Sequence, residues 1–172
     1  MYRRWQQAAL VLAGLSILGG CIRDGEDALR DRMDQWFYVE KPIYFESRMR
    51  CTAALYLVEE IEARPALTVQ SLPEAARMDF RRDGLAALRV EGRTPHELTD
   101  ALLMSQDGAL GKQALAAGAL AGDCFKGTEV AGYLSDALQR PGAMMAYDSE
   151  SDGLMVLDPD LARLFYLGGD VW

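Results

Sequence analysis

Apolar positions in the middle of the chain recur at intervals of three and four residues. The longest such stripe lies between Glu46 and Ala63, and its main members are Met49, Ala53, Leu57 and Ile61. Residues three or four apart share one face of an α-helix. The stripe therefore predicts a helix, and this helix contains Cys51.

Three further helices are predicted by their boundaries as well as by their spacing. The predicted spans are Thr94 to about Ser105, Ala109 to Ala121, and Thr128 to Leu138. The first begins with a capping box, in which Thr94 accepts from the amide of Glu97 and the Glu97 carboxylate reaches back. Pro95 occupies the first helical position, where its missing N–H costs nothing. Gly111 and Gly118 lie in the second helix, where the lack of a side chain allows close helix contact.

The remaining segments carry weaker patterns. We expect a charged tether that merges into a helix over Ile22 to Asp34, a short strand over Ala66 to Gln70, a helix from Pro73 or Glu74 to about Asp83, and either state over Leu85 to Val90.

The C-terminal thirty residues have a different pattern. Two short apolar runs, Met144 to Tyr147 and Leu154 to Leu157, flank a polar connection that ends in Asp152-Gly153, a pair typical of hairpins. Arg163 to Leu167 is either a third strand or a helix capped by Asp158. The predicted fold is α+β, a mostly helical single domain with a small C-terminal antiparallel hairpin or meander.

The N-terminus carries a basic and then an apolar segment. Arg3 and Arg4 precede Ala8 to Leu18, which has no charged residue. These 11 residues are too few for a spanning helix, which takes roughly 20. The order instead fits a secretory signal. The sequence that follows, Leu18-Gly19-Gly20-Cys21, resembles the lipobox of bacterial lipoproteins, in which two small residues precede the lipidated cysteine.

This resemblance implies a processed and anchored protein. Residues 1–20 would be a cleaved signal peptide, residues 21–34 a lipidated N-terminus and tether, and residues 35–172 a single globular domain. Cys21 would carry diacylglycerol and in many bacteria a further acyl chain such as palmitate. Two or three chains give stable anchoring. Ile22 follows the lipidated cysteine, where aspartate usually means inner-membrane retention, so we expect the outer membrane, with the domain facing the periplasm.

Charge restricts the possible partners, and the predicted compartment indicates the state of the cysteines. Removal of the first 20 residues leaves 16 basic and 26 acidic side chains, a formal charge of −10. That balance argues against nucleic acid as a partner and against charge-based binding to anionic lipid. Two cysteines remain, Cys51 and Cys124, and in an oxidising compartment we expect them to form a disulfide. Two separately buried thiols are the alternative.

One short motif indicates an enzyme. Ile43-Tyr44-Phe45-Glu46-Ser47-Arg48 resembles the catalytic-glutamate motif of peptidoglycan-cleaving hydrolases of the spore-cortex type, where the motif opens a helix. The resemblance implies that Glu46 is a general acid in an apolar, aromatic surround. Met49 replaces the family's glycine, and its downstream Asn-Arg element is absent. As an alternative, Glu46 is a first-turn acid that stabilises its helix.

The other candidates for chemistry are weaker. Asp148, Glu150 and Asp152 match alternate positions of a calcium loop, but position twelve is Pro159 instead of glutamate, so we expect a hairpin turn. His96 is the only histidine, and its place in the first turn of a capped helix favours an exposed polar role. No cofactor is indicated.

Two classes of function follow from these patterns. The preferred one is a membrane-anchored envelope lipoprotein with a non-catalytic binding or scaffolding role toward a periplasmic or envelope protein. The alternative is a peptidoglycan-cleaving hydrolase that depends on Glu46.

Overall fold

A computed structural model describes residues 23–63, 68–69, 85–104 and 108–169. The elements in chain order are α1 (Glu26–Met33), β1 (Val39–Arg48), β2 (Cys51–Val58), β3 (Thr68–Val69), β4 (Leu85–Leu88), α2 (Pro95–Leu103), α3 (Ala109–Phe125), α4 (Glu129–Leu138), β5 (Met144–Asp148), β6 (Gly153–Asp158) and β7 (Arg163–Gly169).

The strands form one seven-stranded sheet in the order β1-β2-β7-β6-β5-β4-β3. Every neighbouring pair is antiparallel except β3 with β4. β1 and β2 form a hairpin at one edge of the sheet, and the C-terminal meander β5-β6-β7 lies between that hairpin and β4. β1 is an edge strand whose register shifts on both sides of Pro42, which is where a residue without an N–H is tolerated.

Both faces of the sheet are buried. Ala53, Leu55 and Phe165 lie in the core shared with α2, α3 and α4. The alternate residues Ala54, Tyr56 and Tyr166 lie in a second core on the other face. Leu29 and Met33 of α1 and Phe37 contribute to this second core and are 2%, 0% and 0% exposed. The packed domain therefore includes α1, which lies within the segment expected to start as a tether.

The prediction of a mostly helical domain with a small C-terminal hairpin is wrong. The sheet is the centre of the fold, and the C-terminal meander supplies three of its inner strands. The main error is the helix predicted from Glu46 to Ala63, because this segment contains the end of β1 and all of β2. Seven of the eight β2 residues are buried. A strand covered on both faces has no polar alternation, so its alanines and leucines imitate a buried helix.

Several locally marked elements are confirmed. Thr94 forms the capping box at the start of α2, with Thr94 Oγ1 3.1 Å from the Glu97 amide and the Thr94 amide 2.9 Å from Glu97 Oε2. α3 runs to Phe125, beyond its predicted end. Gly111 allows the expected close contact, because a Cβ there would lie 2.5 Å from the backbone nitrogen of Leu103. Gly118 does not, because a Cβ there would make only an ordinary contact of 3.6 Å with the side chain of Leu154 in β6.

The remaining predicted segments have mixed outcomes. Thr128 precedes α4, as expected, and Arg163 to Leu167 adopts the strand alternative. Within the segment predicted as a short strand, Thr68–Val69 form β3, and the ambiguous segment contains β4. The helix predicted from Pro73 or Glu74 to about Asp83 lies outside the described residues.

Candidate functional site

The N-terminal residues of the ordered domain are fixed at one end of the sheet. The amide of Asp24 donates to Ser47 Oγ at 3.0 Å, and Thr52 Oγ1 donates to Asp24 Oδ2 at 2.6 Å. Ser47 and Thr52 face each other across the β1–β2 hairpin. Arg23 Nη1 forms an ion pair with Asp24 Oδ2 at 2.8 Å, and the two side chains are only 10% and 16% exposed. Hydrogen bonds from the hairpin thus fix the first residues that the structure describes.

The same end of the sheet contains the β5–β6 turn. Asp148 is fully buried, and its carboxylate accepts from the amide of Glu150 at 2.9 Å and from Ser151 Oγ at 2.5 Å. Arg23 donates through Nη2 to the carbonyl of Ser151. Tyr166 donates to Ser151 Oγ at 3.3 Å, and burial raises the pKa of its phenol. Ser151 therefore joins the N-terminal segment to the centre of the sheet.

A polar cleft of about 250 Å³ opens beside this network. Its lining residues are Arg23, Asp24, Arg32, Glu150, Ser151 and Asp152. Two guanidinium groups and three carboxylates line it. Arg23 pairs with Asp24 and donates to the β5–β6 turn. The cleft is suited to a small polar or zwitterionic group more than to an apolar ligand.

The calcium candidates Asp148, Glu150 and Asp152 lie in this turn, but the carboxylates of Asp148 and Asp152 have separate partners. Asp148 is directed into the turn, as described above, and Asp152 Oδ1 accepts from the hydroxyl of Tyr147 at 2.8 Å. Within the described part of the chain, no group of three His, Cys, Asp or Glu side chains could hold a metal ion. The expected hairpin is confirmed, since β5 and β6 pair from Asp148 with Gly153 onward.

The disulfide predicted between Cys51 and Cys124 is confirmed. Their sulfurs are 2.09 Å apart and their Cα atoms 6.1 Å apart. Cys51 begins β2, not a helix position as predicted, and Cys124 lies in the last turn of α3. Tyr44 reinforces this junction, because its hydroxyl donates to the carbonyl of Cys124 at 2.5 Å and its ring stacks on Phe125 with centroids 5.6 Å apart.

Glu46 lies in β1, so the prediction that it begins a helix is wrong. Its side chain is 38% exposed, and Oε1 is 2.9 Å from Nε of Arg48. Two other clefts, of about 560 and 240 Å³, are lined around Gly92 and Gly142 and around Gln113 and Tyr147. Glu46 lines neither of these clefts, nor the polar cleft described above. An exposed, arginine-paired carboxylate lacks the apolar surround that would favour a general acid.

Two other polar residues, His96 and Arg140, lie away from the polar cleft. His96 is 71% exposed in the first turn of α2, 3.9 Å from Asp100. At the sheet end opposite the polar cleft, Arg140 lies 3.1 Å from the fully buried Asp158 and 2.8 Å from Asp160. This second cluster connects the C-terminus of α4 to the β6–β7 turn.

Sequence reasoning did not identify the polar network. Arg23 contacts Ser151, which is 128 positions away in the sequence. Asp24 contacts Ser47 and Thr52, at sequence separations of 23 and 28. No local spacing marks such partners. The one relevant signal is a pair of glycines in adjacent strands, Gly153 and Gly168, where an added Cβ would lie within 3 Å of Tyr166.

Cys21 lies outside the described residues. None of the helices in the described ranges has the length and apolar character to cross a membrane. Comparison of the chain with protein-family models, with curated proteins and with solved structures found no match.

Proposed function

We propose that this protein is an exported bacterial lipoprotein, anchored through a lipid on Cys21, whose domain has a non-catalytic binding or scaffolding role in the periplasm. The observation that carries the proposal is the disulfide between Cys51 and Cys124 in a chain that starts with a lipobox. Disulfides persist in oxidising compartments and are rare in the cytosol. The lipobox and the disulfide are 30 residues or more apart in sequence and support export independently.

The polar contacts of the domain support the non-catalytic part of the proposal. Asp148, Thr52 and Tyr166 are fully buried, and each makes a hydrogen bond within the fold. Such bonds stabilise the domain by about 1 kcal/mol each, and leaving a partner unsatisfied costs more. These groups are therefore engaged in structure, whereas a nucleophile or a proton donor has to reach a substrate.

The hydrolase alternative has less support from the position of Glu46. A decisive assay measures the release of soluble fragments from purified peptidoglycan by the unlipidated domain and by its Glu46→Gln variant. Glutamine keeps the shape of the side chain but cannot donate the proton that glycoside cleavage needs. We expect no release from either protein. Release by the unsubstituted domain that disappears in the variant would replace the scaffold proposal with the hydrolase.

The anchor is tested by metabolic labelling with palmitate. The unsubstituted chain should incorporate label and sediment with membranes, and Cys21→Ser should do neither, because serine has no thiol to carry the lipid. Ile22→Asp is the matched control. It keeps the cysteine, so it should keep the label and move from the outer-membrane to the inner-membrane fraction. Equal labelling of Cys21→Ser and the unsubstituted chain would refute the proposal.

A further inference from the structure

The proposed lipid site is very close in sequence to the first residue that the structure describes. Only Ile22 lies between Cys21 and Arg23. Two trans peptide steps of about 3.8 Å each place the Cα of Cys21 no more than roughly 8 Å from that of Arg23. Arg23 and Asp24 are themselves fixed by their contacts with the hairpin and the β5–β6 turn. A lipid on Cys21 therefore enters the membrane next to this end of the sheet.

The tip of the β1–β2 hairpin lies at the same end. Ser47 pairs with Thr52 and Arg48 with Cys51, which leaves Met49 and Arg50 as the turn. Since Asp24 forms hydrogen bonds with both Ser47 and Thr52, the N-terminal segment lies beside the last residue pairs of this hairpin. A strand rises about 3.3 Å per residue, so the tip projects only roughly 7 Å beyond Thr52.

The tip has the composition of a membrane-contacting loop. Met49 is 63% exposed, one of the most exposed large apolar side chains among the described residues. It stands between two exposed arginines, Arg48 and Arg50, in a domain that is otherwise acidic. An apolar side chain gains free energy by entering the boundary between headgroups and acyl chains. Arg48 forms an ion pair with Glu46, so Arg50 is the arginine that can reach a lipid phosphate beside Met49.

We propose that the hairpin tip Arg48-Met49-Arg50 rests at the boundary between the headgroups and the acyl chains of the membrane that holds the Cys21 lipid. The inference depends on the proposed lipid anchor and adds to it. The anchor alone attaches the domain, whereas the anchor and the tip together fix its orientation, with the strands directed away from the bilayer. The opposite end of the sheet, with the β6–β7 turn and Leu161, then faces the periplasm.

The two ends offer matched reporter positions. Leu161 is 44% exposed in the β6–β7 turn, and the length of β7 from Arg163 to Gly169 separates that turn from the hairpin end by about 20 Å. Full-length Met49→Trp and Leu161→Trp proteins are purified in lipidated form and reconstituted into phosphatidylethanolamine–phosphatidylglycerol vesicles with brominated acyl chains. The unsubstituted protein supplies the background from Trp36 and Trp172. Arg50→Trp is a second reporter at the tip.

Brominated acyl chains quench a tryptophan only near the acyl boundary. We expect the added fluorescence at Met49 and at Arg50 to fall roughly two-fold or more, and that at Leu161 to stay constant, because only the tip would be inserted. Mass spectrometry of each sample establishes whether Cys21 is lipidated. Lipidated protein with equal quenching at both ends, or with none at the tip, would overturn the oriented contact and leave the anchor standing. Protein without lipid would overturn the anchor and, with it, this inference.

Discussion

Reduction of the disulfide between Cys51 and Cys124 is expected to lower the free energy of unfolding by about 4 kcal/mol. The bridge closes a loop with a sequence separation of 73 residues. On the chain-entropy model, a loop of that length removes about 15 cal/mol/K from the unfolded chain, which is about 4.4 kcal/mol at room temperature. Both cysteines are buried, at 4% and 2% exposure, so reduction leaves two small apolar thiols in place. Loop entropy should therefore dominate the loss.

Urea unfolding of the domain without its lipid, followed by tryptophan fluorescence with and without a reductant, measures this loss. With a denaturant dependence of about 2 kcal/mol per molar urea, the midpoint should fall by about 2 M. Since domains of this kind are stable by about 5–15 kcal/mol, the reduced protein would keep only part of its margin.

A double variant, Cys51→Ala with Cys124→Ala, is the control for effects of the reductant itself. Its midpoint should lie near that of the reduced protein and should not respond to the reductant. A reduction-dependent shift below about 0.5 M in the unsubstituted protein would contradict the entropic argument, because it corresponds to only about 1 kcal/mol. In that event the bridge would contribute little to the stability of the fold, and the disulfide would give weaker support for an oxidising compartment.

Three further changes test other parts of the fold. Gly153→Ala would place a Cβ 2.5 Å from Cε2 of the fully buried Tyr166, so urea unfolding should show a loss of about 1–3 kcal/mol, and a loss below 0.5 kcal/mol would contradict the close packing. Burial raises the pKa values of Tyr56, Tyr147 and Tyr166, so the folded state holds these protons more tightly than the unfolded chain. Stability should then fall as pH rises above about 10, and these phenols should ionise, by ultraviolet absorbance, only together with unfolding. Thr94→Ala removes the acceptor for the Glu97 amide and should cost about 1 kcal/mol in the same urea assay, with Thr94→Ser as the control that keeps the cap.

The local signals in the sequence determined several elements of this protein. The capping box at Thr94 and the Asp152-Gly153 turn each involve groups within a few residues of one another. Their hydrogen bonds form from the local chain, so their residue types predict the structure directly. The pairing of Cys51 with Cys124 could also be predicted, since these are the two cysteines that follow the predicted lipidation site at Cys21, and two cysteines in an oxidising compartment have only one intramolecular disulfide to form.

Tertiary structure alone decided the sheet and the polar cleft. β2 reads as a helix in isolation, and it is a strand because β1 and β7 supply its hydrogen-bond partners and apolar cores cover both of its faces. Strand preference depends on these neighbours more than on the backbone preference of alanine or leucine. For the same reason Glu46 lies in a strand and not in the helix predicted for it. Arg23 and Ser151 meet across 128 residues, and only the insertion of the C-terminal meander beside β2 brings such distant positions to one end of the sheet.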